Sequence, residues 1–140
     1  MRQVSDVSVL AAYVPNPRGE AVLDRAIAES QLRQTRLVLF NSARGDAALE
    51  RNRLYDDARR SLERRLEAQG VEFELVTTVR PQEPAEAILR AADDWSAELI
   101  VLGLRHRSPV GKLILGSTAQ RVLLQAACDV LGVKVPGPAG

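Results

Sequence analysis

The sequence has little of what builds covalent cross-links and metal sites. Its 140 residues include one cysteine, Cys128, and one histidine, His106. A single cysteine cannot form an intramolecular disulfide, and one histidine with one cysteine cannot complete a structural zinc site. Because Cys128 lies just before a predicted buried strand, we expect it to be a small buried hydrophobe rather than a reactive thiol. The composition therefore excludes disulfide scaffolds and zinc modules.

An excess of charge of one sign and long apolar runs are also missing. Nineteen Lys and Arg against eighteen Asp and Glu give a formal net charge of +1. Nucleic-acid-binding proteins usually carry a basic surface of one sign, so this balance does not favour such a partner. No stretch reaches the roughly 20 apolar residues of a transmembrane helix, and residues 1–14 lack the apolar core of a signal peptide. We expect a cytoplasmic protein with neither nucleic acid nor membrane as partner.

What the chain does contain is enough apolar material for a folded core. Hydrophobic residues make up 46% of it and charged residues 26%, and the two kinds are interspersed. This composition is typical of a globular protein rather than a disordered one. The length suits a single domain, which we place at residues 1–135, followed by a flexible C-terminal tail at 136–140.

Short apolar runs alternate regularly with amphipathic stretches. The runs predict five strands, at residues 7–13, 36–41, 71–76, 98–103 and 130–135. The stretches between them predict four helices, at residues 18–33, 46–70, 83–96 and 117–127. Such an order predicts an α/β fold, a five-stranded, mainly parallel sheet with helices on both faces. The third strand alternates apolar and polar residues, which favours a position near a sheet edge.

The second predicted helix carries a run of basic residues that calls for an interpretation. Arg59, Arg60, Arg64 and Arg65 are interspersed with Glu63 and Glu67. This pattern is typical of a solvated helix surface with ion pairs, and we prefer it to a nucleic-acid-binding face. No Gly-x-Ser-x-Gly element surrounds any serine, which argues against hydrolase-type nucleophilic catalysis.

The strongest candidate site follows the fourth predicted strand, where residues 103–118 read GLRHRSPVGKLILGST. Ligands of parallel sheets bind beyond the carboxyl ends of the strands, which here means the loops after the first, second and fourth. Gly116 would let a phosphate approach the start of the last helix, where free N–H groups and the helix dipole favour an anion. The hydroxyls of Ser117 and Thr118 could donate to it. The alternative is an ordinary capped helix start after a solvated basic loop.

The spacing Gly103-x2-His106-x9-Gly116-Ser117, followed by a helix and the Cys128-Asp129-Val130-Leu131 segment, resembles the universal stress protein family. That family's nucleotide loop reads Gly-x2-Gly-x9-Gly-Ser/Thr, and the resemblance extends over residues 7–135. It implies a Rossmann-like fold of the adenine nucleotide alpha hydrolase-like type. It also implies ATP or a related adenine nucleotide as ligand, with magnesium entering only together with the nucleotide.

The resemblance also implies a set of nucleotide-binding residues. The phosphates would lie at the loop and helix start, the ribose at the end of the first strand, and the adenine near the end of the second. In that order, the candidates are Gly103, His106, Gly116 and Ser117, then Tyr13 and Val14, then Asn41 and Ser42. Residue chemistry adds Arg105, Arg107 and Thr118 to the phosphate end, the arginines together with His106 for positive charge and Thr118 for its hydroxyl. The sequence departs from the family pattern twice, because His106 replaces a loop glycine and Val14 replaces the aspartate that holds the ribose.

Two functions remain open from the sequence. The first is a stress-responsive regulatory module that binds an adenine nucleotide without catalysing a reaction. The second is a ligand-free interaction or scaffold protein of the same fold, which Val14 favours. For both, the resemblance implies a homodimer that forms by antiparallel pairing of the last strand, Val130 to Val135. An adenylate-transferring enzyme on a related fold is a third alternative, but the chain has no evident substrate domain.

Overall fold

The computed structural model describes residues 6–14, 17–42, 47–78, 83–104 and 115–134, and of residues 42, 47–56 and 78 it describes only the backbone. Within these residues, strands and helices alternate as predicted. The strands are β1 Ser8–Ala12, β2 Arg36–Ser42, β3 Phe73–Thr78, β4 Ala97–Leu104 and β5 Asp129–Lys134. The helices are α1 Pro17–Arg33, α2 Ala47–Ala68, α3 Pro84–Asp94 and α4 Ser117–Gln125. The predicted tail at 136–140 lies outside the described residues.

The five strands form one sheet in the order β3-β2-β1-β4-β5, and every neighbouring pair is parallel. This confirms the predicted α/β fold and the edge position of the third strand. The chain builds outward from β1 to β3 and then returns to add β4 on the other side of β1. The strand order therefore reverses between β1 and β4. Ligands of such sheets bind at the carboxyl edge beside this reversal, a position we call the β1–β4 crevice.

The helices cover both faces of the sheet, because alternate strand residues point to opposite sides. Val9 and Ala11 of β1 pack with buried residues of α1 and α2, whereas Leu10 packs with α3 and α4. Central strands buried on both faces explain why their sequences read as nearly continuous apolar runs.

Helix ends follow from local backbone chemistry. Helix α2 ends at Ala68, and Gly70 then adopts a φ of 69°, a left-handed conformation that glycine tolerates best. Helix α3 begins at Pro84, in the first turn, where the missing proline N–H has no intrahelical role. Both signals were visible in the sequence.

One packing prediction is wrong. Cys128 is only half-buried, because it precedes the edge strand β5 and not a central strand. Its pKa is raised above the ordinary thiol value, mainly because partial burial disfavours the thiolate.

Candidate functional site

The carboxyl ends of β1 and β2 are joined by two hydrogen bonds. The Tyr13 N–H donates to the Phe40 carbonyl at 2.9 Å, and the Asn41 Nδ2 donates to the Tyr13 carbonyl at 3.1 Å. Asn41 is buried, so its side-chain amide serves to hold the two strand ends together. Of the predicted adenine-contacting pair, Asn41 and Ser42, the structure thus assigns the Asn41 side chain a structural contact. Ser42 ends β2 in register with Thr78.

Tyr13 directs its side chain toward the α1 face of the sheet. It is buried against α1 and α2, and its hydroxyl donates to Glu20 Oε1 at 3.3 Å. It lines a cleft of about 650 Å³ between the start of α1 and the middle of α2, together with Pro17 and Leu62. The Tyr13 side chain and its backbone N–H and carbonyl thus all have partners within the fold, whereas the next residue, Val14, exposes 38% of its surface.

An ion-pair cluster closes the outer side of this cleft. Arg65 of α2 contacts Glu20 Oε2 at 2.5 Å and Asp24 Oδ1 at 2.6 Å, both on α1. The hydrogen bond with Glu20 raises the pKa of Arg65, so the guanidinium stays charged at every ordinary pH. Both acidic side chains in the first two turns of α1 are thus directed toward α2.

Gly103 lies near the carboxyl end of β4 and makes room for a side chain from α1. A β-carbon built on Gly103 would lie 2.7 Å from Arg18 Cγ and 2.9 Å from Arg18 Cδ. The aliphatic stem of Arg18 therefore lies against the Gly103 backbone. Arg18 was missed by the sequence reasoning. The sequence does contain one signal for this contact, namely Gly103 near the end of a predicted buried strand. A glycine there leaves space for a long side chain from a neighbouring helix, as Arg18 provides.

The start of α4 has an open geometry. Gly116 is the N-cap residue with φ −66° and ψ 161°, and it offers no side chain to the first-turn N–H groups. Those N–H groups have no partner within the helix. Ser117 is exposed and Thr118 half-buried, and both lie in the first turn as predicted.

Helix α4 is held in place at its second turn by Arg121. Arg121 pairs with Glu83, the N-cap residue of α3, and its Nη2 lies 3.0 Å from Glu86 Oε1. Because helices that follow parallel strands begin at the carboxyl edge, these contacts join the starts of α3 and α4 on the same side as the crevice. These ion pairs therefore link the second turn of α4 to the start of α3.

The structure brings several predicted residues to one edge and leaves others undescribed. Tyr13, Val14, Asn41, Ser42 and Gly103 end the three central strands, and Gly116, Ser117 and Thr118 begin α4. Arg105, His106 and Arg107 lie outside the described residues.

Across the described ranges, no three His, Cys, Asp or Glu side chains are grouped to hold a metal ion. Nor is any helix in those ranges long and apolar enough to cross a membrane.

A family model for the universal stress protein family matches residues 8–134 of the chain. The chain belongs to the universal stress protein family. A universal stress protein of Mycolicibacterium smegmatis is 39% identical over 129 residues, which cover 92% of this chain and 98% of the relative. The resemblance drawn from the loop and the last strand is therefore confirmed.

Solved structures of the family share the fold. A universal stress protein from Archaeoglobus fulgidus superposes with a TM-score of 0.72 at 32% identity, covering 92% of this chain and 98% of that one. Another A. fulgidus structure, in complex with dAMP, superposes with a TM-score of 0.67 at 27% identity, covering 93% and 98%. The Rossmann-like architecture predicted from the resemblance is thus confirmed.

Proposed function

We propose that this universal stress protein family member is a cytoplasmic, stress-responsive regulatory module that binds an adenine nucleotide and catalyses no reaction. The observation that carries the proposal is Gly116 at the open start of α4. Family membership and the dAMP complex of the A. fulgidus protein support the choice of an adenine nucleotide. Binding would change the surface around the start of α4, which partner proteins would then contact differently.

Gly116 is a glycine that the described fold does not require. Its φ of −66° is accessible to any residue, and a β-carbon built on it would meet no atom of the described residues within 4 Å. A serine or aspartate would also cap the helix at least as well. A glycine in this position is best explained by close approach of a ligand to the backbone, with a phosphate accepting from the first-turn N–H groups.

The phosphate end of the proposed site also has suitable side chains. The Ser117 and Thr118 hydroxyls can donate to phosphate oxygens, and we propose that Arg105, His106 and Arg107 add positive charge from the preceding loop. Magnesium would enter on the phosphates of ATP, because the described residues near α4 offer hydroxyls and no carboxylate cluster.

Calorimetric titration with ATP, combined with extraction of bound nucleotide from the denatured protein, tests the proposal. We expect saturable heat from the wild-type protein and a loss of at least about tenfold in affinity for Gly116→Val, whose side chain would fill the approach to the N–H groups. Leu124→Val is the matched control, since Leu124 lies at the other end of α4 and is 77% exposed. An absence of both copurified nucleotide and heat at millimolar ATP would contradict nucleotide binding.

We also propose that the protein is a homodimer formed through β5. This strand lies at a sheet edge, and its central residues Val130, Leu131 and Val133 are only half-buried in one chain. An edge strand of this kind leaves one row of backbone groups available for pairing with a second copy. Antiparallel pairing of two β5 strands would satisfy those groups and cover the apolar side chains.

Sedimentation and hydrogen exchange at several concentrations test the dimer. We expect a two-chain species at micromolar concentration and slower exchange of β5 amides as concentration rises. The other edge strand, β3, serves as the internal control, because its exchange should not depend on concentration. A single-chain species at micromolar concentration would contradict the proposal.

The alternative function, a ligand-free homodimeric scaffold, is favoured by one observation. Val14 places an apolar side chain at the end of β1, where the family pattern has a carboxylate for the ribose. A dimer by sedimentation with no nucleotide by extraction or calorimetry would establish this alternative over the first.

A further inference from the structure

Two sides of helix α4 are occupied by its own chain. Ala119 and Val122 are buried against the sheet. Arg121 pairs with Glu83 and with Glu86 of α3, which identifies the side of α4 that faces α3. Successive residues of an α-helix are about 100° apart, so the side turned away from α3 is formed by residues 120 and 123.

This side, which we call the α4 flank, is directed toward the open edge of the sheet. Its two residues, Gln120 and Leu123, are exposed, and Leu123 exposes 41% of its surface. Helix α3 covers the sheet between β2 and β4, so the opposite side of α4 lies toward β5, the edge strand. Val130 of β5 is half-buried on the same face of the sheet. Apolar side chains on the flank and on β5 are thus left partly uncovered at one edge.

The α4 flank carries no charge. Arg121 is the only charged residue from 117 to 127, and its guanidinium is directed to α3. The exposed positions of α1, by contrast, include Asp24 and Arg25, as is usual for the solvent side of a surface helix. The centres of protein interfaces are depleted of charged residues. The flank therefore suits an apolar partner surface and not a partner recognised by its charge.

The spacing of strands and helices makes a second copy of this chain fit the α4 flank. Helix α4 contacts both β4 and β5, so its axis lies about half a strand spacing inward from β5. When two β5 strands pair, the two α4 axes are about two strand spacings apart, which is roughly 10 Å. Helices that pack against one another have axes about 8–10 Å apart. Pairing of β5 therefore brings the two α4 helices to contact distance.

Pairing of β5 alone would give a small interface. The strand has six residues, so its edge is a strip about 20 Å long and about 10 Å thick, or roughly 200 Å². Stable dimers of standard size bury about 800 Å² per partner. A homodimer through β5 thus requires further contact surface, and the α4 flank is the apolar surface beside that strand.

We infer that two copies of this chain pack their α4 helices side by side across the two-fold axis between their β5 strands. The helices run antiparallel, because the same axis reverses the direction of α4 and of β5. Leu123 of each copy lies at the centre of the contact, with Gln120 beside it. This contact rests on the homodimer proposed above and supplies the apolar part of its interface.

Sedimentation equilibrium of matched leucine variants tests the α4 contact. Leu123→Gln should raise the Kd of the dimer at least about tenfold, because the substitution places a polar amide in the contact once from each copy. Leu123→Met should stay within about threefold of the wild-type Kd, since methionine keeps the volume and the apolar character. Urea denaturation of each variant verifies that it is folded.

Leu124→Gln is the matched control for Leu123→Gln. Leu124 is the next residue of the same helix, exposes 77% of its surface and points away from the sheet rather than along the flank. Its substitution makes the same chemical change outside the contact. We expect the Kd of the dimer to change by less than about twofold.

The outcomes separate the α4 contact from the homodimer itself. A dimer with exchange-protected β5 amides whose Kd is unchanged by Leu123→Gln would overturn the contact and leave the homodimer standing. Equal weakening by Leu123→Gln and Leu124→Gln would also overturn it, because the effect would then not depend on the flank. A wild-type protein that stays a single chain at every concentration would contradict the proposed homodimer.

Discussion

Gly19 shows how a single residue positions the start of α1. A β-carbon built on Gly19 would lie 1.5 Å from the Val14 carbonyl oxygen, which is a backbone atom that cannot rotate away. We expect Gly19→Ala to lower the free energy of unfolding by about 3 kcal/mol or more, since relief of the clash requires a backbone shift. Urea denaturation measures this loss.

Gly116→Ala is the control for Gly19→Ala, because in the part of the chain that the structure describes no atom lies within 4 Å of a β-carbon at Gly116. It should cost no more than about 1 kcal/mol, through the weaker N-cap preference of alanine. Equal losses for the two variants would show that the contact between Gly19 and Val14 is not the cause.

Cys128 allows a prediction about pH. Partial burial raises the pKa of the Cys128 thiol in the folded protein, so the folded state holds the proton more tightly than the unfolded state. Any stability that Cys128 contributes is complete below the unfolded thiol pKa and is lost as pH rises through the folded value. We expect the pH midpoint for alkylation by iodoacetamide to be higher in the folded protein than in urea. Coinciding midpoints would disprove the shift.

Residue identity alone predicted part of the candidate site. Gly116, Ser117 and Thr118 could be placed at a helix start because glycine and hydroxyl residues follow local rules. Arg18 could not, since its importance comes from contact with Gly103, 85 positions later in the sequence. Likewise, the link from Asn41 to Tyr13 depends on β2 pairing with β1.

At the scale of elements, the part of α2 whose side chains are described is attached by a small apolar stripe and an ion-pair cluster. In its part with described side chains, residues 57–68, Leu62 and Leu66 are buried, and Arg65 contacts Glu20 and Asp24 of α1. We expect Leu66→Ala to cost about 2–5 kcal/mol, because Leu66 is fully buried and its truncation leaves a cavity. Urea denaturation measures the loss.

The ion pairs of α2 should contribute less than its leucines. Arg65→Met keeps most of the stem and removes the charge, and we expect a loss of about 1 kcal/mol or less because the pairs are partly exposed. The loss should shrink as salt is added, since salt screens exposed charges. A salt-independent loss larger than that of Leu66→Ala would show that the cluster, and not the apolar stripe, attaches α2.

At the scale of the whole molecule, ligand binding and stability are linked. A nucleotide that binds only the folded state, at about 100 times its Kd, adds about 2.7 kcal/mol to the free energy of unfolding. For a chain of this length, that corresponds to a rise in Tm of about 10 °C. We expect ATP to raise the Tm of the wild-type protein but not of Gly116→Val. An equal rise in both would place the bound nucleotide away from the start of α4.

The sequence by itself determined the number, type and order of the elements. Hydrophobic periodicity is a property of neighbouring residues, and an alternating order of strands and helices leaves few folds besides a parallel sheet covered on both faces. The open helix start at Gly116 could be inferred for the same reason. The order β3-β2-β1-β4-β5, the Arg18 stem against Gly103 and the Glu20–Arg65–Asp24 cluster were decided only by the tertiary structure. These features join residues far apart in the chain, and only the packing of the elements brings such residues into contact.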